Sequence, residues 1–197
     1  MAVTEIALMA SSAPGEIPEA LRNLGVAGIA LQGEWCAKDA PWLIPDRGAA
    51  LFQQVEDPGM LLITAHWDSV DQHHAVLVTP ENQELLVDLP PLVNAAIIRP
   101  GHVDGGHMFP KSEDEGFAPA LTAPALVGVL DEFVKPYRHR GGWKIEKADG
   151  EDIEQYFIAG GLDNVKKSAA FAHAEGYDQS LSPLALNVET KHYKRIG

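Results

Sequence analysis

The sequence of 197 residues predicts an α+β fold in which a βαββαβ order occurs twice. Two observations favour this fold class. Apolar runs bounded by turn residues alternate with segments whose apolar residues recur at helical spacing. The turn glycines Gly59 and Gly150 are 91 residues apart, and the proposed helix caps Ser69 and Asp163 are 94 residues apart. The spacing predicts an internal repeat of about 90 residues.

The strands of the first half are predicted from short apolar runs between turn signals. They cover residues 4–10, 50–56, 60–67 and 95–98. Between the first two strands, apolar residues at helical spacing predict a helix over residues 16–24 that ends at Gly25. Residues 33–48 show no clear period, and we interpret them as an irregular loop.

Turn and cap residues support these boundaries. Asp57-Pro58-Gly59 predicts a tight turn between two strands, because proline fixes φ and glycine accepts a positive φ. Ser69 is a suitable N-cap for a helix after the third strand. Thr79 with Pro80 predicts the start of another helix, which ends before Pro90-Pro91.

The second half repeats the order with weaker signals. We predict a helix over residues 122–134, strands over 143–148 and 153–159 with a turn at Asp149-Gly150, a helix after Asp163, and a closing strand over 187–196. The predicted domains are thus a ferredoxin-like repeat over residues 1–100, a linker or excursion over 101–120, and a divergent ferredoxin-like repeat over 121–197. Each repeat leaves one sheet face uncovered, and packing the two faces together forms a pseudo-dimer.

The formal net charge of −13 limits the partners. Nucleic acids and anionic membrane surfaces would repel such a protein, so neither is expected as a partner. Cys36 is the single cysteine, which excludes an internal disulfide and fits a reducing compartment. With neither a signal-peptide pattern nor a membrane-length apolar run, we expect a cytoplasmic location.

Residues 61–75, LLITAHWDSVDQHHA, resemble the antibiotic-biosynthesis monooxygenase family of the dimeric α/β-barrel superfamily. Members show an apolar strand, a Trp-x-Ser segment, an acidic helix start and a later Ser/Thr motif, for which Thr79 stands here. The likeness covers roughly residues 50–98. It implies a barrel-like pair of units and cofactor-independent monooxygenation of apolar aromatic or polyketide-like substrates, with cyclisation or decarboxylation as alternatives. Val76 and Leu86 stand where haem-degrading members carry tryptophan and histidine, which disfavours haem degradation.

His66 is the first candidate catalytic residue, as a general base that forms a substrate carbanion. Strand alternation places it on one face with Leu62 and Thr64, which we predict to bind substrate. His192, on the closing strand, and Tyr156, which could donate a hydrogen bond to an enolate, are the other catalytic candidates. The alternative for each of these three residues is a purely structural role.

Aromatic residues outside the periodic segments form a second group. Trp35, Trp42 and Phe109 could cover an apolar substrate or simply pack between the repeats. His102 and His107 carry ligand types suited to zinc or iron, but no third-ligand motif follows, so we predict no metal and keep a metal-dependent enzyme centred on them as a third possibility. The resemblance implies that no cofactor is used. A non-catalytic module that binds a hydrophobic ligand is the alternative function, and a further homodimer stays open.

Overall fold

The first half folds in the predicted order. The computed structural model describes residues 1–37, 49–104, 139–147, 155–160 and 191–196. Its elements are β1 (Val3–Ser11), α1 (Glu19–Ala37), β2 (Ala50–Gln54), β3 (Met60–Trp67), α2 (Val70–Leu77), α3 (Pro80–Val87), β4 (Val93–Asp104), β5 (His139–Trp143), β6 (Tyr156–Gly160) and β7 (Tyr193–Arg195), with a 3-10 turn at Pro90–Leu92. No helix in these described ranges is long and apolar enough to cross a membrane.

Five strands form an antiparallel sheet in the order β4-β1-β3-β2-β7, and β5 pairs with β6 separately. The order β4-β1-β3-β2, with helices between β1 and β2 and between β3 and β4, is that of a ferredoxin-like unit. The predicted α+β class is confirmed. β7, from the second half of the chain, extends the sheet next to β2.

The hairpin of β2 and β3 forms where the turn residues predicted it. The Gly59 N–H donates to Asp57 Oδ1 at 3.1 Å, and the Met60 N–H donates to the Asp57 carbonyl at 2.9 Å. Gln53 then pairs with Leu61 in the ladder. The local chemistry of the turn therefore sets the register of both strands.

The two helix caps predicted in the first half, Ser69 and Thr79, are confirmed. Ser69 Oγ accepts the Gln72 N–H at 3.1 Å at the start of α2. Thr79 Oγ1 accepts the Asn82 N–H at 3.3 Å at the start of α3, where Pro80 occupies the first turn. These bonds satisfy helix N–H groups that have no partner within the helix.

Helix α1 is longer than predicted. It continues through Gly25 to Ala37, so the expected loop is wrong for residues 33–37. Gly25 is not a helix terminator but a close contact, because a Cβ there would lie 2.9 Å from Leu51 Cδ2. Leu51 is fully buried on β2. The glycine thus lets α1 approach the sheet.

Strand β4 is also longer than predicted. It continues past the predicted end at residue 98 to Asp104, so residues 101–104, interpreted as the start of a linker or excursion, belong to the sheet. Pro100 pairs with Ala7 and Gly101 with Ile6 on β1. Because β4 is an edge strand of this sheet, it tolerates a proline that a central strand would exclude.

The second half departs further from the prediction. β5 ends at Trp143, where a strand over 143–148 was expected to begin. Gly141 and Gly142 gave no strand signal, because glycine is rare in strands. Glycine is needed at position 142 because a Cβ there would clash with the Asp104 carbonyl. β6 and β7 overlap the predicted strands. The predicted helices over 122–134 and after Asp163 and the turn at Asp149-Gly150 lie outside the described residues.

Two apolar clusters lie on opposite faces of the sheet. The first core, under the helices, contains Leu21 of α1, Val76 of α2 and Trp67 of β3. The second core, on the other face, contains Ile6 and Leu62. Phe157, Ala159 and Tyr193 of the second half pack against it. Strand alternation separates the two cores, since successive side chains on β1 and β3 point to opposite faces.

Two glycines of α1 provide a matched test of this packing. Gly28→Ala should raise the free energy of unfolding by up to about 1 kcal/mol, because a Cβ at this position would have no atom within 4 Å and alanine favours a helix. Gly25→Ala should not raise the free energy of unfolding in this way, because its Cβ would clash with Leu51. Urea denaturation of both variants measures the difference, and equal stabilisation would contradict the close approach.

Candidate functional site

A buried carboxyl group lies between the sheet and the helices. Glu5 of β1 is only 4% exposed. Its Oε2 accepts the Trp67 indole N–H at 3.0 Å and the Gln32 side-chain N–H at 3.2 Å. Trp67 comes from β3 and Gln32 from α1, so two neighbouring elements supply donors to one acid. Buried carboxyl groups need such partners, since an unpaired one is costly.

His73 of α2 lies beside this acid. Its ring stacks on Trp67 with the ring centroids 4.8 Å apart and the planes 20° apart. Its Nε2 is 3.5 Å from Glu5 Oε2, and its Nδ1 is 2.7 Å from His102 Nε2. Successive helix residues point about 100° apart, so only one of His73 and His74 can face the core. His73 is buried and His74 is exposed.

His102 continues the line of polar groups toward solvent. It lies on β4 directly opposite Glu5 in the ladder, so its side chain also faces the helices. Its backbone N–H donates to Glu146 Oε2 at 2.7 Å, and its Nδ1 bonds to Glu146 Oε1. The Glu146 side chain is 40% exposed. We call Glu5, His73, His102 and Glu146 the polar cluster; it leads from the core to the surface.

The environment shifts the pKa values within the polar cluster in opposite directions. Burial raises the pKa of Glu5 to about 7, against the lowering effect of the hydrogen bonds from Trp67 and Gln32. Burial, with the charges of His102 and His74, lowers the pKa of His73 to about 3. His73 is therefore neutral near pH 7, where Glu5 is part protonated.

The outer acid behaves differently from the inner one. Partial burial raises the pKa of Glu146, but the hydrogen bonds from the side chain and backbone of His102 outweigh it, so the net shift is downward. Glu146 is thus an ionised acceptor at neutral pH.

The hydrogen bonds assign the histidine tautomers. Because the Glu146 carboxylate can only accept, His102 carries its proton on Nδ1 and its Nε2 accepts. His73 then donates from Nδ1 to His102, which leaves the His73 Nε2 lone pair directed toward Glu5. A proton gained at His73 Nε2 can thus be passed outward through each ring in turn.

His66, Thr64 and Leu62 lie on the opposite face of β3, as the alternation predicted. His66 is 2% exposed and pairs with Thr4 of β1, and Leu62 belongs to the second core. This face looks toward the second half of the chain, not toward the helices. The catalytic role of His66 and the binding roles of Leu62 and Thr64 stay predictions.

The other two catalytic candidates lie on different strands. His192, just before β7, is bonded through its N–H and Nδ1 to Glu56, and its side chain is 20% exposed. Tyr156 of β6 is half-buried, with its ring edge-on to Trp143 at 4.8 Å. Burial, then the charge of Asp104, raises the pKa of Tyr156 to about 12, so its phenol is a neutral hydrogen-bond donor. Their predicted catalytic roles are not tested by this placement.

Trp35 lies in α1 and not in a loop, which corrects its expected setting. Its ring centroid is 6.3 Å from that of Trp67, and it also lines a surface groove of about 430 Å³ with Leu31 and Glu81. Trp42 and Phe109, the other predicted aromatic binding residues, lie outside the described residues.

Sequence reasoning missed Glu5, His73 and Glu146 as a site. One signal was available: β1 is apolar on both faces, so Glu5 had to be buried whichever way it pointed. His107, paired with His102 in the metal hypothesis, lies outside the described residues. In the portion of the chain that the structure describes, no three acidic, histidine or cysteine side chains are grouped to hold a metal ion.

Comparison with known proteins relates the chain to a solved structure. No protein-family model matches the chain, and no curated protein matches it. A candidate antibiotic biosynthesis monooxygenase from Chloroflexus aurantiacus is 25% identical, with 54% of this chain and 97% of that protein covered and a TM-score of 0.34. The ferredoxin-like fold of the first half is defined by its own strand order, β4-β1-β3-β2, and not by this likeness.

The raised pKa of Glu5 has a measurable consequence for stability. A raised folded-state pKa gives stability that is full below the unfolded value of 4.5 and is lost as the pH rises through about 7. Glu5→Gln removes this loss. The free energy of unfolding of the variant, relative to wild type, should therefore rise by about 3 kcal/mol between pH 4.5 and pH 7.

Urea denaturation across this pH range tests the expectation, with the exposed Glu16→Gln as the control. A difference between Glu5→Gln and wild type that does not vary with pH would mean that Glu5 ionises normally in the folded protein.

Proposed function

We propose that the chain is a small acid–base enzyme that uses no cofactor and acts on an apolar aromatic or polyketide-like substrate. We rank monooxygenation first among its reactions. The observation that carries this proposal is the polar cluster, in which four titratable side chains run from a buried acid to a half-exposed one. An enzyme that removes a proton in an apolar interior needs both a base there and a route for the proton to leave.

The proposed proton transfer uses the two histidines in sequence. His73 Nε2 takes the proton from an acidic phenol or an anthrone-type carbon. His73 passes its Nδ1 proton to His102 Nε2, and His102 passes its own Nδ1 proton to Glu146. Burial disfavours the charged form of His73. Because each ring accepts a proton at one nitrogen and donates one from the other, His73 needs to hold the charge only briefly.

The oxidant in the proposed reaction is dioxygen. The substrate carbanion forms a carbon–oxygen bond, the oxygen–oxygen bond breaks, and the methylene carbon becomes a carbonyl. The second oxygen atom leaves as water with the two hydrogens of the methylene group. Cyclisation and decarboxylation begin with the same carbanion and differ only in its fate; the resemblance of residues 61–75 favours oxygenation.

A non-catalytic hydrophobic-ligand module is the second candidate. It is favoured by two surface grooves of about 370 and 430 Å³, both of which Leu31 and Glu81 line. Leu24 and Leu85 also line the first groove, together with the acids Glu84 and Asp88, and Trp35 lines the second. A ligand held there would contact α1 and α3, not the second core.

Oxygen uptake with a dihydroxyanthrone as substrate tests the enzyme proposal. His73→Asn keeps a donor near the Nδ1 position but removes Nε2, so kcat should fall about 100-fold or more. His74→Asn changes the adjacent, exposed histidine and should retain wild-type turnover. Circular dichroism of both variants controls for folding.

His66→Asn separates the two possible bases. A loss confined to His66→Asn would assign the reaction to the opposite sheet face and contradict the role of His73. Wild-type protein that binds the anthrone without consuming oxygen would contradict the enzyme proposal in favour of the binding module.

A further inference from the structure

Two contacts of the same pattern join the halves of the chain. In each, one carboxylate bonds both the backbone N–H and the Nδ1 of a single histidine. Glu146 bonds His102 in this way, with its N–H at 2.7 Å, and Glu56 bonds His192, with its N–H at 3.1 Å. We call these pairs the two clamps.

The clamps are related by a constant shift in sequence. His102 and His192 are 90 residues apart, and so are Glu56 and Glu146. The clamps are also reciprocal, since the histidine of the first half bonds the acid of the second, and the histidine of the second half bonds the acid of the first. A two-fold axis relates contacts in this way.

Backbone contacts next to the clamps follow the same shift. The Ile145 N–H donates to the His102 carbonyl at 2.8 Å, and the Val55 N–H donates to the His192 carbonyl at 2.8 Å. Ile145 and Val55 are again 90 residues apart. A shift one residue longer or shorter would not match these contacts to each other.

The strand pairing beside the clamps agrees as well. Val103 pairs antiparallel with Lys144, and Tyr193 pairs antiparallel with Gln54. Each member of the second pair has its counterpart in the first at a shift of 90 residues. Val103 and Tyr193 both pack in the second core, between the halves.

We propose that the two halves dock about an internal two-fold through these reciprocal clamps, and that docking supplies Glu146 as a positioning residue for the polar cluster of the first half. The site is then complete only when the second half is in place. The catalytic consequence rests on the proposed function, whereas the docking arrangement does not.

Glu146 acts through His102. A neutral imidazole can carry its proton on either nitrogen, and the carboxylate holds it on Nδ1. Only then does Nε2 present a lone pair to His73. The clamp of His192 has the same geometry but a more exposed histidine, 20% against 4% for His102. Glu56 therefore serves as a matched control that holds the halves without touching the polar cluster.

Histidine tautomers in the full-length protein test the proposal. Long-range ¹⁵N NMR of uniformly labelled wild type should show the Nδ1–H form for both His102 and His192. Glu146→Gln should shift His102 alone toward the Nε2–H form, and Glu56→Gln should shift His192 alone. Amide exchange should accelerate at least about tenfold at Ile145 in the first variant and at Val55 in the second, because each N–H loses its neighbouring clamp.

Turnover is measured on the same two variants. Glu146→Gln should lower kcat more than Glu56→Gln does, because only Glu146 contacts a member of the polar cluster, and Glu146→Asp, which keeps the charge, should restore part of the loss. An Nε2–H tautomer for His102 in wild type, or variants that change neither tautomer nor exchange, would overturn the proposal. Shifts in tautomer and exchange as expected, with no turnover in any form, would uphold the docking and reject only the proposed function.

Discussion

The buried carboxyl of Glu5 constrains the parts of the molecule around it. Its hydrogen-bond donors come from two different elements, the amide of Gln32 on α1 and the indole of Trp67 on β3, and the ring of His73 on α2 lies beside it. Since a buried acid without donors would be strongly destabilising, the orientation of each element is tied to this one group. When these elements pack around Glu5, His73 also lies within hydrogen-bond distance of His102, so the packing around this acid brings the polar cluster together.

Strand β1 divides the chemistry of the molecule between two faces. Glu5 points toward the helices, and its neighbours Thr4 and Ile6 point toward the second half of the chain. The polar cluster therefore lies on one side of the sheet, and the apolar contact between the halves lies on the other, together with His66. His102 on β4 connects the two, because its side chain joins the polar cluster while its backbone and Nδ1 reach residues of the second half.

Local features of the sequence predicted local structure well. The turn at Asp57, the caps Ser69 and Thr79 and the bounds of β3 depend on neighbouring residues alone, and all are observed. Predictions failed where contacts between residues distant in sequence determine the structure. Gly25 was interpreted as a helix end because its contact with Leu51 is not visible in the sequence. The strand β5 was missed because the contact of Gly142 with Asp104 is likewise not visible.

The site was less predictable than the fold. Strand alternation correctly placed His66 on one face with Leu62 and Thr64, but it could not reveal the polar cluster on the opposite face. The pairing of His73 with His102 spans 29 residues and that of His102 with Glu146 spans 44, so both require the tertiary structure. The most direct test of the account is a ¹³C NMR titration of the Glu5 side-chain carboxyl in the folded protein. A midpoint near pH 7 is the predicted result, and a midpoint near 4.5 would contradict the account.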